Sequence, residues 1–445
     1  MSQLRPPPQV LEIARRLESK GFEAWCVGGA IRDALLGHPH LDWDIATSAR
    51  PEDVRDIFGH RRTIPIGIEF GTVGVLDPDG VMHDVTTFRR DVRTDGRHAE
   101  VEFGVSLDDD LARRDFTINA IAYSPSRGEL RDPFGGQADL DRRLLRAVGD
   151  ADARMREDRL RSLRGIRFAA RFELAIDEPT LRAIRESAPH LGRLSAERVK
   201  QEIEKTMDQV RRPGSAFAMW KSTGAFATLI PTLASVSDEA LSVADYLPLP
   251  GNTTRPQRRL VRMAALFAVL NPAAVTRALT DLRFSKHDAQ WIATVVARWQ
   301  EIGAEIEAVG AKGDMPADVV VRGWVARIGR LHVGAVLRLG MAVWAARVGA
   351  GGTAPRAASG QRLYRRMLKV AFRDPIDLRD LAIDGDDLKR AGVEGGRGLG
   401  AILQTLLHRV LEDPRLNRTD WLLQEAVRLH GIEQSGTAEK RGQVN

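Results

Sequence analysis

Strand-like patterning ends near Val148, and almost every segment after Asp150 carries the period of a helix. That switch restricts the fold to a sheet-bearing head followed by a long run of helices. Within the head the pieces alternate. EAWCV reads as a strand, AIRDALLG as a helix after a glycine turn, and DWDIAT as a second strand. PEDVRDIFG opens with Pro51 at a favoured first helical position and closes on Gly59. TVGVLD and VMHDVTTF read as two further strands with a DPDG turn between them. Beyond Asp150, DRLRSLRGIRFAARF, AERVKQEIEKTM, RRLVRMAALFAVL, DAQWIATVVARWQEI and VGAVLRLGMAVWAARV all predict helices, with Gly- and Pro-rich breaks at 247–256, 310–316 and 349–355.

The length, 445 residues, exceeds what one core supports, so two or more domains are expected. Basic residues outnumber acidic ones by 66 to 60, an excess that permits an electronegative partner such as nucleic acid. Cys26 is the single cysteine, which excludes an internal disulfide, leaves no zinc site expected and suits a buried core position. MSQLRPPPQV does not read as a signal peptide, and no apolar run is long enough to cross a bilayer. The cytoplasm is the expected compartment, with no membrane and no protein partner implied. His287 and Asp288 lack the further ligands a metal-binding histidine–aspartate domain needs, so they read as polar residues at a helix start.

The chemistry concentrates in three motifs. In the first, Asp42 and Asp44 flank Trp43, and strand alternation puts both carboxylates on one face while Trp43 and Ile45 turn to the core. Paired carboxylates repel unless a cation sits between them, and hard oxygen ligands of this kind suit Mg2+ with phosphates. Gly28 and Gly29 precede a helix whose first N–H groups can meet phosphate, and Arg32 lies one turn further on. In the second motif, LARRDFTINAIAY, Arg113 and Arg114 open a short helix-like segment with Asp115 in its first turn. Arg113 is open to a surface pairing with Asp109 or Asp110, Arg114 less so. The third, EDRLRSLRGIRFAARF, spaces Asp158, Arg161 and Arg164 by threes and continues to Arg167 and Arg171, which predicts one charged stripe with Leu160, Leu163, Ile166 and Phe168 facing elsewhere.

GGAIRDALLG, DWDIAT, RRDFTINAIAY and EDRLRSLRGIRFAARF together resemble the class II tRNA nucleotidyltransferase and bacterial poly(A) polymerase family, continuously from about Phe22 to Met207. The resemblance implies an α+β fold: a polymerase-β-like nucleotidyltransferase head with a small mixed sheet over 1–149, a helical neck over 150–245, and a helical body and tail over 246–434; the composition of 435–445 reads as a disordered tail. The same resemblance implies Asp42 and Asp44 as ligands of Mg2+ and a third carboxylate that activates the attacking hydroxyl; Asp84, on a neighbouring strand and followed by Thr86 and Thr87, is the candidate, and the alternative for it is a strand-edge charge. Gly29, Arg32, Arg114, Asp158, Arg161, Arg164 and Arg167 match nucleotide-binding positions.

The chemistry of bases gives Asp158 and Arg161 a specific task. Cytosine and adenine both offer an amino donor beside an unprotonated ring nitrogen, which a carboxylate and a guanidinium can meet, whereas uracil and guanine present mismatched groups. The resemblance implies CTP, ATP and the tRNA 3′ end as partners, with template-independent addition of C, C and A as the reaction. FRRDVRTDGRHAEVEFG reads as a mobile loop, complete as in CCA-adding members of the family. The segment from Leu381 to Leu423 resembles the tail of such members. Its glycine-rich turn, Gly392 to Gly400, either seats a tRNA phosphate or simply connects two helices. A poly(A) polymerase, an A-only or CC-only enzyme, and a non-catalytic RNA-binding protein on the same scaffold are the alternative readings.

Overall fold

The computed structural model describes residues 4–38, 43–94, 99–250, 256–313, 315–393 and 397–442. The chain forms two compact units, Met1–Ser235 and Val236–Asn445.

The first unit opens with helix α1 (Pro8–Glu18), which buries Val10, Ile13, Ala14 and Leu17 along one face. Strand β1 (Ala24–Val27), helix α2 (Gly29–Leu35), strand β2 (Asp44–Thr47) and helix α3 (Pro51–Phe58) follow as the sequence predicts. Then come β3 (Thr63–Gly67), β4 (Thr72–Leu76), β5 (Met82–Thr87), the pair β6 (Arg89–Thr94) and β7 (Ala99–Phe103), helix α4 (Leu107–Ala112), and strands β8 (Ala122–Ser124) and β9 (Glu129–Arg131). Seven strands form one sheet in the order β3-β4-β5-β2-β1-β8-β9. Only β2 and β5 pair in parallel; the other neighbours are antiparallel, so the sheet is mixed. On one face Trp25, Val27 and Ala46 pack with Leu107 and Leu111 of α4. Trp43 and Ile45 are buried, as the alternation requires.

The segment read as a mobile loop is instead the antiparallel ribbon β6–β7, with residues 95–98 outside the described residues. Its alternating Val, Thr and Phe supply strand propensity that the charged residues between them hide.

Helix α5 (Gly136–Asp141), a short strand β10 (Leu144–Leu145) and helix α6 (Ala151–Glu157) lead into α7 (Leu160–Phe172). A short β11 (Ala175–Ile176) pairs in parallel with β10. Helices α8 (Glu178–Ser187), α9 (Ala196–Gln209), α10 (Pro213–Ser222) and α11 (Ala225–Leu229) complete the unit.

Within Val236–Asn445 every described element is helical. Helices α12 (Asp238–Leu241), α13 (Pro256–Leu266), α14 (Pro272–Asp281), α15 (Lys286–Lys312), α16 (Asp318–Ile328), α17 (Val333–Gly349), α18 (Ala357–Arg373), α19 (Gly385–Arg390), α20 (Arg397–Glu412) and α21 (Thr419–Gly442) follow in order. Leu388, Ile402, Leu406, Val410 and Leu422 form a compact core near the C-terminus. Ser285 caps α15 through the Asp288 amide, as expected for the start of a helix. Residues 394–396 of the glycine-rich turn lie outside the described residues. Helix α21 runs through Gly442, across residues predicted as a disordered tail; Ala, Glu, Lys and Arg without proline let the backbone continue helically. Among the described residues no single helix is long and apolar enough to cross a membrane.

Candidate active site

Asp44 opens β2, opposite Val27 of β1. On the other side Ile45 pairs with Val85 in parallel, so the preceding residues, Asp44 and Asp84, stand at adjacent positions on the same sheet face. Strand spacing sets their backbones roughly 5 Å apart. Asp42 lies outside the described residues.

Two hard carboxylates side by side suit a divalent cation. Among the described residues no set of three or more His, Cys, Asp and Glu side chains is arranged to hold a metal.

Asp44 lines a cleft of about 690 Å³. Its walls come from the Gly28–Gly29 turn, the segment after α4, and helices α7 and α9, with eight basic side chains against three carboxylates. Such a surplus attracts a polyanion the size of a nucleoside triphosphate. Gly28 has φ 75°, and a Cβ there would lie 3.1 Å from Arg114 Nη1 and 3.9 Å from Asp44 Oδ2. The absence of a side chain at Gly28 leaves the space that the Arg114 guanidinium occupies over this turn.

Arg32 is buried rather than reaching outward. Its Nε donates to Asp33 Oδ1 at 2.8 Å and its Nη1 to Asn119 Oδ1 at 2.6 Å. Burial pushes its guanidinium below its ordinary value, against the pull of Asp33. Arg113 and Arg114 share one acceptor, Asp110, at 2.9 and 3.1 Å. The pairing anticipated for Arg113 therefore extends to Arg114. Burial alone would raise the Asp110 carboxyl, but the two arginines outweigh it and hold the group below the usual range.

Asp115 is not in a helical first turn. Helix α4 ends at Ala112, and Phe116 is extended and bridges to Ala147. The Asp115 carboxylate accepts from Asn119 Nδ2 at 2.8 Å and from Arg164 Nη2 at 2.8 Å. Burial works against its ionisation, yet Arg164 and Asn119 bring it below the usual range. Asp115 and Asn119 line the cleft and were not anticipated as site residues; the signal available was their spacing of four in RRDFTIN.

The charged stripe predicted across 158–171 is interrupted. Asp158 follows the end of α6 with extended backbone, φ −143°, and its Oδ1 accepts from the Leu160 amide. Local bonding of this kind competes with helix continuation and separates α6 from α7. Asp158 Oδ2 accepts from Arg198 of α9 at 2.8 Å. Arg161 donates to Glu157 Oε2 at 2.7 Å and to the Arg113 carbonyl at 3.0 Å. Asp158 and Arg161 thus line one cleft, each held by a different neighbour.

Arg167 is buried, with Nε donating to Glu202 Oε2 at 2.7 Å and Nη1 to Gln209 Oε1 at 3.1 Å. Arg171 joins the same Gln209 to Asp33. Phe168, predicted to face away, lies in the cleft wall with the guanidinium carbons of Arg32, Arg164 and Arg167 4.9, 5.1 and 4.5 Å from its ring centre. One aromatic ring therefore organises three cations from two helices.

Residues 24–146 match the model of the poly A polymerase head domain, and residues 173–236 match that of the probable RNA and SrmB-binding site of polymerase A. A CCA-adding enzyme of Geobacillus thermodenitrificans is 49% identical over 209 residues, 46% of this chain and 50% of that protein. The chain thus spans about half the length of several of the curated relatives it matches. A CCA-adding enzyme of Latilactobacillus sakei is 34% identical over 421 residues, 94% of this chain and 97% of that protein. The crystal structure of the Bacillus stearothermophilus CCA-adding enzyme with CTP superposes with a TM-score of 0.74 at 30% identity, covering 98% of this chain and all of that one. The Thermotoga maritima enzyme complexed with tRNA gives 0.64 at 20% identity, covering 95% of this chain and 96% of that one, a likeness of fold alone.

Proposed function

The chain belongs to the CCA-adding enzyme family, and from that premise we propose that it adds C, C and A to the 3′ end of tRNA, using CTP and ATP and releasing pyrophosphate. What carries the reading is one cleft that sets Asp44, beside Asp84, in the same wall system as Asp158 and Arg161. Family membership implies dependence on a divalent cation. We assign it as Mg2+, held by Asp44 and Asp42 with Asp84 beside them. When bound, such an ion neutralises phosphate charge and orients the reacting oxygens.

The remaining work falls to side chains. The tRNA 3′-hydroxyl attacks the α-phosphorus, its proton passing to Asp84 as general base, while the bond to the pyrophosphate oxygen breaks. Arg114, fixed by Asp110, stands beside Asp44 to meet the charge on the leaving group. Gly29 leaves room for the phosphates at the start of α2, and Arg32 beneath it adds positive potential without leaving its bonds to Asp33 and Asn119. Arg164 and Arg167 shape the nucleotide side of the cleft through Phe168.

Asp158 accepts from the exocyclic amino group and Arg161 donates to the ring nitrogen, which admits C and A and rejects U and G. The carboxylate has lone pairs beyond those meeting Leu160 and Arg198, so base recognition does not require these contacts to break. We place the catalytic head at 1–149, the neck at 150–245 and the tRNA-holding body and tail after it, in the cytoplasm.

The test is incubation of the purified protein and Mg2+ with tRNA lacking its CCA end and each nucleotide. The reading requires two C residues and one A, then a stop. Open-ended A addition would establish a poly(A) polymerase, A alone or CC alone a partial enzyme, and incorporation unaffected by Asp44→Ala would remove the catalytic assignment. No incorporation under any condition would favour an RNA-binding scaffold.

A further inference from the structure

Helix α18 carries a basic stripe that the cleft does not use. Ser359, Gly360, Leu363, Met367, Val370 and Ala371 are buried on one side. On the other, Arg362, Arg365, Lys369, Phe372 and Arg373 are exposed. At 100° per residue these five fall within an arc of about 100°, opposite the buried face, and the cations extend over about 17 Å. Among the described residues no carboxylate is within ion-pair distance of Arg365, Lys369 or Arg373. The nearby acids are committed elsewhere: Asp318 pairs with Arg366, and Asp374 with Arg322 at 3.4 Å.

The stripe ends on apolar surface. Phe372 is 65% exposed and Leu331 78%. Arg330 donates to the Ala371 carbonyl and pairs with Asp380 at 2.6 Å, which ties the turn carrying Leu331 to the C-terminal end of α18. A solitary exposed apolar residue is ordinary; two large ones lie here beside three cations that have no ion-pair partner among the described residues, with Asp318, held by Arg366, the acid that Lys369 feels.

We propose that this face of α18 binds the sugar–phosphate backbone of the RNA substrate, with an unpaired base against Phe372. A row of exposed guanidinium and ammonium groups, of which Arg365, Lys369 and Arg373 have no carboxylate within ion-pair distance among the described residues, matches the regular negative charge of a nucleic-acid strand. An exposed aromatic ring at the end of the row adds a stacking platform that any base can use. The proposal rests on the reading that tRNA is the substrate.

The test measures binding of tRNA lacking its CCA end to the full chain across a range of salt concentrations. Arg365→Glu combined with Lys369→Glu and Arg373→Glu should raise Kd at least tenfold. It should also reduce the slope of log K against log salt by about 2 to 3, since three phosphate contacts are removed. CTP affinity without RNA should stay unchanged. Phe372→Ser alone should weaken binding about fivefold or more with the slope intact. If the charge reversal unfolds the chain, the same three positions changed to Gln serve instead, with a smaller loss in the same direction. Wild-type extension of the tRNA together with unchanged Kd and slope in the variants overturns this proposal alone, and would leave the face to an acidic protein partner. A wild-type chain that neither binds nor extends tRNA overturns the substrate reading as well.

Discussion

Asp115 and Phe168 show how single residues organise the cleft. Asp115 is depressed below the ordinary carboxylate value, so its ionised form contributes stability that is present above the unfolded value of about 3.9 and is lost as pH falls through the folded value. Asp115→Asn should therefore be less stable than wild type at neutral pH. Its urea midpoint should also vary less between pH 5 and pH 3. Equal pH dependence in the two proteins would show that Arg164 does not hold the ionised group. Phe168→Leu removes the ring around which three guanidiniums gather, and it should raise KM for CTP and ATP about tenfold, or ~1.4 kcal/mol, while Phe168→Tyr should restore most of the affinity. The carboxylates and arginines of the site were legible as residue types. Their partners were not, because Asp110 serving both Arg113 and Arg114 depends on how α4 ends, and Arg198 reaching Asp158 spans 40 positions of sequence.

At the scale of elements, glycines decide how closely parts of the site approach. A Cβ on Gly136, at the start of α5, would lie 2.2 Å from the Thr117 carbonyl oxygen, an atom the backbone cannot readily move. Gly136→Ala should lower stability by about 1–3 kcal/mol in thermal melts. Gly323, inside α16 with nothing within 4 Å of its missing Cβ, should respond in the opposite sense, gaining about 0.5–1 kcal/mol as Ala. Helix and strand periods identified most elements that carry the motifs. They missed β6–β7, whose charged composition disguises alternation, and the break before α7, where one aspartate bonds its own neighbourhood instead of continuing a helix.

For the whole molecule, the cleft belongs to the unit Met1–Ser235 and the basic face of α18 to the unit Val236–Asn445. Hydrogen exchange with CTP and Mg2+ should slow in peptides covering 28–33, 113–119 and 158–171 of the first unit, and remain unchanged across α18 until tRNA is added. Protection of α18 by CTP alone would contradict that separation of tasks. By itself the order of residues determined a sheet-bearing head before a helical remainder, the strand face on which Asp44 stands, and the residue types that gather around phosphate, because periodicity and side-chain chemistry are local properties. Tertiary structure alone decided the register that sets Asp84, a candidate in the sequence, directly beside Asp44, that Arg32 is a buried support, and that Phe168 faces the cleft. Those outcomes depend on parallel pairing of β2 with β5 and on the packing of α2, α7 and α9, contacts between residues far apart in the chain.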